Sequence, residues 1–432
     1  LQHAFLNELG DSRFPEQAAI APRRAMVRTT SPRGTFAVTR QEWKTVIRWE
    51  HTEKRRSDLP IANRLGDWPL HTTSSATAAA SRQDALPFFD GPQAWRGADM
   101  AAHTERWLEH WSDEEITEIE SAVAHFEARD VDLLDMRASH YVAPQALQRV
   151  MRIRNDVLHG RGFALLRGLP VERWTIRQAA IAYWGMGLHM GEPCSQNGKG
   201  HVLGHVKNLG LDYGDAGTRG YQTNARLPFH TDGSDIVGLL CWRSGKAGGL
   251  SSLTSSTAVF NRLALRRPDL ARVLMQPFCL TRWGEVPEGR KPWSEAPVFM
   301  SHGGRMIARY VRSAIHKGQD LAGVPKLTAQ QIEALDMLDE ITKEPDMVLD
   351  MEFLPGDIQF VCNYNVFHSR TAFEDWPETE RKRHLLRLWL ACDDGPDLPD
   401  VLIQNCEGQT AGGRPNGIAV PGVPFAAPLE AA

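Results

Sequence analysis

From residue 200 onward the chain is a succession of short apolar runs separated by turn residues, and this restricts its fold more than any other feature. The runs are LGHVKNL, IVGLLCW, PVFMSH, RMIARYV, MVLDMEF, DIQFVCNY and HLLRLWLAC. Each has the length of one strand and is too short for an independent helix. Gly303-Gly304, between PVFMSH and RMIARYV, is a two-residue hairpin signal, because the central positions of such turns favour glycine. Helical spacing interrupts the runs only near residues 256 to 276 and from Thr328 to Lys343. Strands joined by tight turns pair antiparallel, whereas a parallel α/β sheet needs long crossovers. The pattern therefore predicts a mainly β fold with flanking helices, a jelly roll or barrel-like sandwich.

Upstream the signals are helical. Ser112 followed three residues later by Glu115 is a capping box opening EITEIESAVAHFEA. Pro144 suits a first helical turn and Gly160 a stop, which predicts a helix over 144–159. The run RGFALLRGLP at 161–170 reads as a strand closed by a turn, and Thr175 with Gln178 opens a third helix. Four segments follow: an N-terminal extension over 1–90, a helical lead-in over 91–160, a main, mostly β domain over 161–395 and a Pro/Gly-rich tail over 396–432. Between Ala21 and Arg56 the extension carries ten Lys or Arg against three Glu, and it reads as a mobile arm or an Arg-rich leader. With 6 Pro and 5 Gly, the tail reads as an extended wrap or a disordered end.

The formal net charge of −4 gives no basic field for nucleic acid. The longest apolar run, Ile236 to Trp242, is far below the ~18 residues of a membrane span. Six scattered cysteines without a CxxC pair read as small buried hydrophobes. These features predict a soluble cytoplasmic protein, or an imported one if the basic extension acts as a leader, that binds a small molecule rather than nucleic acid or a membrane.

Within LPFHTDGSD, His230 and Asp232 sit two apart, so on an extended strand or its end both side chains point the same way. A third ligand from a distant strand would complete two histidines and one carboxylate on one face of a metal, an arrangement suited to non-heme Fe(II). With 16 histidines in the chain, on the order of one His-x-Asp is expected by chance, so the triplet depends on its surroundings. Those come from MEFLPGDIQFVCNYNVFHSRTAFEDWPETERKRHLLRLWLA, residues 351–391. Leu-Pro-Gly-Asp turns the chain into a strand that delivers His368. Fifteen residues later Arg383 opens an apolar strand and shares a face with Arg387, four further on. A guanidinium in such a strand needs an anionic partner to offset its desolvation. His201 and His205 read as structural, His302 as a hairpin-end residue, and Arg370 as a salt-bridge or loop residue.

In these elements the chain resembles the TauD/TfdA family of Fe(II)- and 2-oxoglutarate-dependent dioxygenases. The matching elements are GRGFALLRGLP at 160–170, FHTD at 229–232, GGLSSLTSS at 248–256, LPGDIQFVCN at 354–363, FHSR at 367–370 and RHLLRL at 383–388, in the family's order. The resemblance implies a double-stranded β-helix core and His230, Asp232 and His368 as iron ligands. It also implies Arg383 as the partner of the distal carboxylate of 2-oxoglutarate, with Ser251 where relatives place a threonine on the same group. Arg387 and Asn224 fall where relatives contact substrate. The implied reaction consumes molecular oxygen and 2-oxoglutarate, releases succinate and carbon dioxide, and hydroxylates a small molecule, an anionic one being admitted by the second arginine. Two other readings use the same residues: a catalytically silent jelly-roll binding protein, and a zinc-dependent hydrolase with the same triad.

Overall fold

The computed structural model describes residues 86–431 apart from 216, 287, 407, 411 and 416; the N-terminal extension, except for its last five residues, lies outside them. Two antiparallel sheets form the core. The larger runs in the order Leu108–His110, Phe163–Arg167, Ile358–Cys362, Ile236–Arg243, His384–Ala391 and Glu192–Pro193, with Leu203–Lys207 also pairing to His384–Ala391. Only the Leu108–His110 pairing is parallel. The smaller sheet runs Leu349–Met351, Ser251–Ser255, Val366–Arg370 and Leu227–His230. From Leu227 the chain passes from the smaller sheet to the larger at Ile236–Arg243 and back at Ser251–Ser255, and it repeats this crossing from Leu349–Met351 through Ile358–Cys362 and Val366–Arg370 to His384–Ala391, as a jelly roll requires.

Alternation along the strands decides what each face buries. Phe163, Leu165, Val237, Cys241, Leu385 and Trp389 point between the sheets with Leu253 and Val366. Ala164, Leu166, Ile236, Leu240, Leu386 and Leu388 point the other way, under three helices. Those helices are Asp113–Glu127, Pro144–His159 and Ile176–Met190. The capping boxes at Ser112/Glu115 and Thr175/Gln178 both form, and Pro144 occupies the first turn of its helix, which ends at Gly160. A sheet buried on both faces explains why its strands read as nearly continuous apolar runs.

Gly303 and Gly304, at φ 55° and 74°, turn Phe299–His302 back onto Arg305–Ala308. The helical stretch read near 256 to 276 is two helices, Ser256–Arg266 and Pro268–Leu274. Pro268 lacks the N–H a continuing helix needs and restricts Arg267, so the axis breaks there. A second hairpin, Pro277–Thr281 with Trp293–Pro297, was not legible as strands. The tail is a wrap: Ile418 N–H donates to the Ser195 carbonyl at 2.8 Å, and Ala426 N–H to that of Gly200 at 2.9 Å. Among the described residues no helix is long and apolar enough to cross a membrane.

Candidate metal centre

The smaller sheet builds the centre. His230 ends the strand Leu227–His230, and antiparallel register sets it opposite His368 in Val366–Arg370. The two imidazole centroids are 4.3 Å apart. Asp232, two residues beyond His230, places Oδ1 3.9 Å from His230 Nε2 and Oδ2 3.9 Å from His368 Nε2. All three donor atoms lie within 4.8 Å of one another. Donors on one ion with bonds of ~2.1 Å stand ~3–4 Å apart, so a small closure seats an ion. The three come from a strand end, a following loop and a neighbouring strand, which leaves the opposite side open.

The surroundings prepare each donor. His230 Nδ1 is 2.8 Å from the Pro228 carbonyl, which only accepts, so Nδ1 carries the proton and Nε2 keeps its lone pair for a metal. Burial, then the neighbouring His230, drag the His368 imidazole down to about 3, against the pull of Asp232. It is neutral at ordinary pH, the form a metal needs. Burial pushes the Asp232 carboxyl up, but Arg387, the two imidazoles and the Trp389 indole outweigh it, so the carboxyl sits below its usual range. Of these, Arg387 is the lasting contributor, because His368 carries no charge near neutrality. Trp389 Nε1 donates to Asp232 Oδ2 at 2.8 Å and Arg387 Nη1 at 3.4 Å.

The loop itself is clamped. Thr231 N–H donates to the Tyr310 carbonyl at 2.8 Å, and Tyr310 N–H to Thr231 Oγ1 at 3.0 Å. Asn363 Oδ1 accepts from Asp232 N–H at 2.9 Å while its Nδ2 donates to the Ser234 carbonyl at 3.0 Å. Buried Asp235 takes Arg414 Nε at 2.9 Å and the Cys392 N–H at 2.9 Å, tying tail and last strand to the loop. Asn363, Trp389 and Arg414 escaped the sequence reading. Trp389 had a signal, since it stands two residues beyond Arg387 and so on the same face of the strand.

Arg383 immediately precedes the last strand, His384–Ala391. Its Nη2 reaches the Gly249 carbonyl at 3.5 Å, and Nη1 is buried with no partner. Burial holds this guanidinium below its usual range. Arg370 is beside it: both stand over the Phe373 ring, at 5.0 and 4.7 Å. Arg370 clamps the Thr223 carbonyl at 2.8 Å, yet its Nε and Nη1 are buried without partners. Burial first, then Arg383, bring it down to about 9. Neither side chain pairs with a carboxylate, so two buried cations share one unsatisfied region that an organic acid would complete. Ser251, on the neighbouring strand, donates to Gln359 Oε1 at 3.0 Å.

A cleft of about 210 Å³ opens over His230, Asp232 and Arg387. Residues 280–283, 309 and 311–314, from the stretch inserted between the two halves of the motif, line the cleft together with residues of the tail. Arg383, Ser251 and His368 do not reach the cleft lining, and neither does Asn224, which is exposed on its loop. The other titratable pair, His205 and His384, meets at 2.7 Å away from the centre, with His205 Nε2 2.8 Å from the Pro428 carbonyl.

Comparison with known proteins gives the same picture. The family model "Taurine catabolism dioxygenase TauD, TfdA family" matches residues 127–389. The chain is 29% identical over 329 residues to the FR-33289 synthase of Streptomyces rubellomurinus, covering 75% of this chain and 96% of that protein. It is 27% identical over 308 residues to a taurine hydroxylase-like protein of Stachybotrys chartarum, covering 68% and 77%. Among solved structures, an asparagine oxygenase in complex with Fe(II), 3-hydroxyasparagine and succinate superposes with a TM-score of 0.53 at 18% identity, covering 73% of this chain and all of that one. That likeness establishes the double-stranded β-helix fold.

Proposed function

The chain belongs to the TauD/TfdA dioxygenase family, whose model spans 127–389, and from that premise we propose that it holds iron through His230, Asp232 and His368 and anchors 2-oxoglutarate on Arg383. It is a non-heme Fe(II)/2-oxoglutarate-dependent dioxygenase that oxidises a small molecule, with release of succinate and carbon dioxide. The observation that carries the residue assignment is the convergence of two imidazoles and one carboxylate within 4.8 Å of one another beside an open cleft.

When bound, Fe(II) supplies the site where oxygen and the 2-oxo acid meet. The protein's own part is positioning. Pro228 fixes the His230 tautomer, and Trp389 with Arg387 keeps Asp232 ionised and oriented. Arg383, with an open N–H in a buried setting, grips the distal carboxylate as a planar fork, which lysine would do poorly. Ser251, in register with Arg370 on the paired strand, is a second, weaker partner. The cleft receives the substrate, which carries an anion, and hydroxylation is the outcome we assign. Arg387 faces this cleft but already serves Gln196 Oε1, at 2.7 Å, and Asp232, so its part is to hold the metal ligand. We place the enzyme in the cytoplasm and read 91–160 and 396–431 as the helical support and strap of the 161–395 domain.

The test is succinate formation from 2-oxoglutarate with added Fe(II), abolished by His230→Ala and restricted to high 2-oxoglutarate by Arg383→Gln. Tightly bound zinc with no turnover of 2-oxoglutarate would overturn the proposal.

A further inference from the structure

We propose that Arg309, assisted by Tyr364, is the receptor for an anionic oxygen group on the substrate, a carboxylate or a tetrahedral oxyanion. This rests on the cleft over His230 and Asp232 being the substrate site.

The placement follows from the clamp on the metal loop. Val311 bridges His230 antiparallel, and Tyr310 exchanges hydrogen bonds with Thr231. Continuing that pairing brings Arg309 alongside Asp232, and both line the same cleft. Its backbone is pinned: Arg309 N–H donates to the Val298 carbonyl at 2.9 Å and Ala308 N–H to that of Tyr364 at 3.0 Å. Tyr364 lines the same cleft and exerts the largest charge effect on the guanidinium.

Charge makes Arg309 distinctive. Five arginines line the cleft against two carboxylates, Asp232 and Glu285. Arg219 pairs with Glu285, Arg312 with Asp336 at 2.6 Å and Asp339 at 3.5 Å, and Arg387 with Asp232. Arg282 donates to the Asn405 carbonyl at 3.4 Å, and its field and that of Arg309 oppose each other. Among the described residues the Arg309 side chain makes no hydrogen bond or ion pair, and neither does the Tyr364 hydroxyl. Burial depresses the guanidinium's affinity for its proton, with only Tyr364, Cys406 and Asp232 acting in return. Asp232 is no answer to that charge, because a metal, Arg387 and Trp389 already use its oxygens. Arg309 is half-buried on the cleft wall, and even a partly desolvated cation without an anion is costly. An arriving oxyanion would remove that cost, with the guanidinium fork taking two oxygens and a tyrosine hydroxyl donating to one of them. The substrate's head group is thereby set beside the iron.

The experiment uses the full chain, both metal-free and loaded anaerobically with Fe(II) and 2-oxoglutarate. Acetate, methylphosphonate and methanesulfonate are titrated by calorimetry into wild type, Arg309→Gln, Arg309→Lys and Tyr364→Phe. At least one probe is expected to bind wild type in the millimolar range, as suits so few atoms. Arg309→Gln should weaken it roughly tenfold or more, and Arg309→Lys should retain part of the affinity, with 2-oxoglutarate binding within about twofold of wild type throughout. The preferred probe tells a carboxylate from a tetrahedral head group. No binding of any probe to wild type, or equal binding to Arg309→Gln, would overturn the assignment. Failure of wild type to bind 2-oxoglutarate with Fe(II) would instead sink the iron reading, while the metal-free titration still judges Arg309.

Discussion

Replacing Gly249 by alanine tests the co-substrate anchor without touching it directly. Gly249 sits at φ +72°, and a Cβ there would lie 2.9 Å from Arg383 Nε and 3.3 Å from Phe373 Cβ. Two costs arise. Holding an L-residue in the left-handed region costs ~1–2 kcal/mol, which lowers the melting temperature by a few degrees. The second falls on function: Phe373 Cβ is fixed to its backbone, so Arg383 must move. A charge-assisted hydrogen bond is worth ~1.5–3 kcal/mol, so a displaced Arg383 should raise the KM for 2-oxoglutarate about 10- to 100-fold. At saturating 2-oxoglutarate kcat should hold, because the lost interaction is ground-state binding. Gly304→Ala is the control, with φ +74° and nothing within 4 Å of the new Cβ, so it carries the strain alone. Succinate formation against 2-oxoglutarate concentration, with melting curves for both variants, separates the effects. A Gly249→Ala enzyme with KM within about twofold of Gly304→Ala, at equal loss of stability, would refute the placement of the 2-oxoglutarate carboxylate on Arg383.

Trp389→Phe removes the indole N–H on Asp232 and should weaken Fe(II) about 10- to 100-fold, read by competition with a chelator. Arg414→Ala leaves Asp235 buried against the Cys392 N–H alone and should cost ~3–5 kcal/mol in denaturant unfolding. His384 is held down at about 3, by burial first and then by His205, against ~6.5 in an unfolded chain. The folded state therefore binds fewer protons between those values, so stability is full above pH ~6.5 and falls as the pH drops toward 3. From pH 6.5 to 5 the loss is ~2 kcal/mol for this group, and His384→Asn should flatten that slope in urea titrations of metal-free protein.

Local signals in the sequence carried the helices and the cluster of His230, Asp232 and His368. A capping box such as Ser112/Glu115 is satisfied within four residues, so nothing distant can reverse it. His230, Asp232 and His368 were legible because short motifs on strand ends carry their own direction. What the sequence concealed depends on partners far along the chain. Composition alone cannot tell whether a Pro/Gly-rich tail wraps or wanders. The tail wraps because buried Asp235, 179 residues away, needs Arg414, and because His205 needs an acceptor that Pro428 provides. The hairpin over 277–297 was hidden by its polar turn.

Arg309 falls between these cases. In RMIARYV it is an arginine in an apolar run, the same signal that singled out Arg383 and Arg387 in the last strand. The sequence shows that each of these guanidiniums must find an anion but not which one already has it. Contacts across the fold supply that answer: Arg387 is satisfied by Asp232 and Gln196, whereas Arg383 keeps a buried unpaired donor and Arg309 lines the cleft without a partner among the described residues. An enzyme holding 2-oxoglutarate and an anionic substrate at one metal would use two unpaired cations, and Arg383 with its open Nη1 and Arg309 on the cleft wall are placed to supply them.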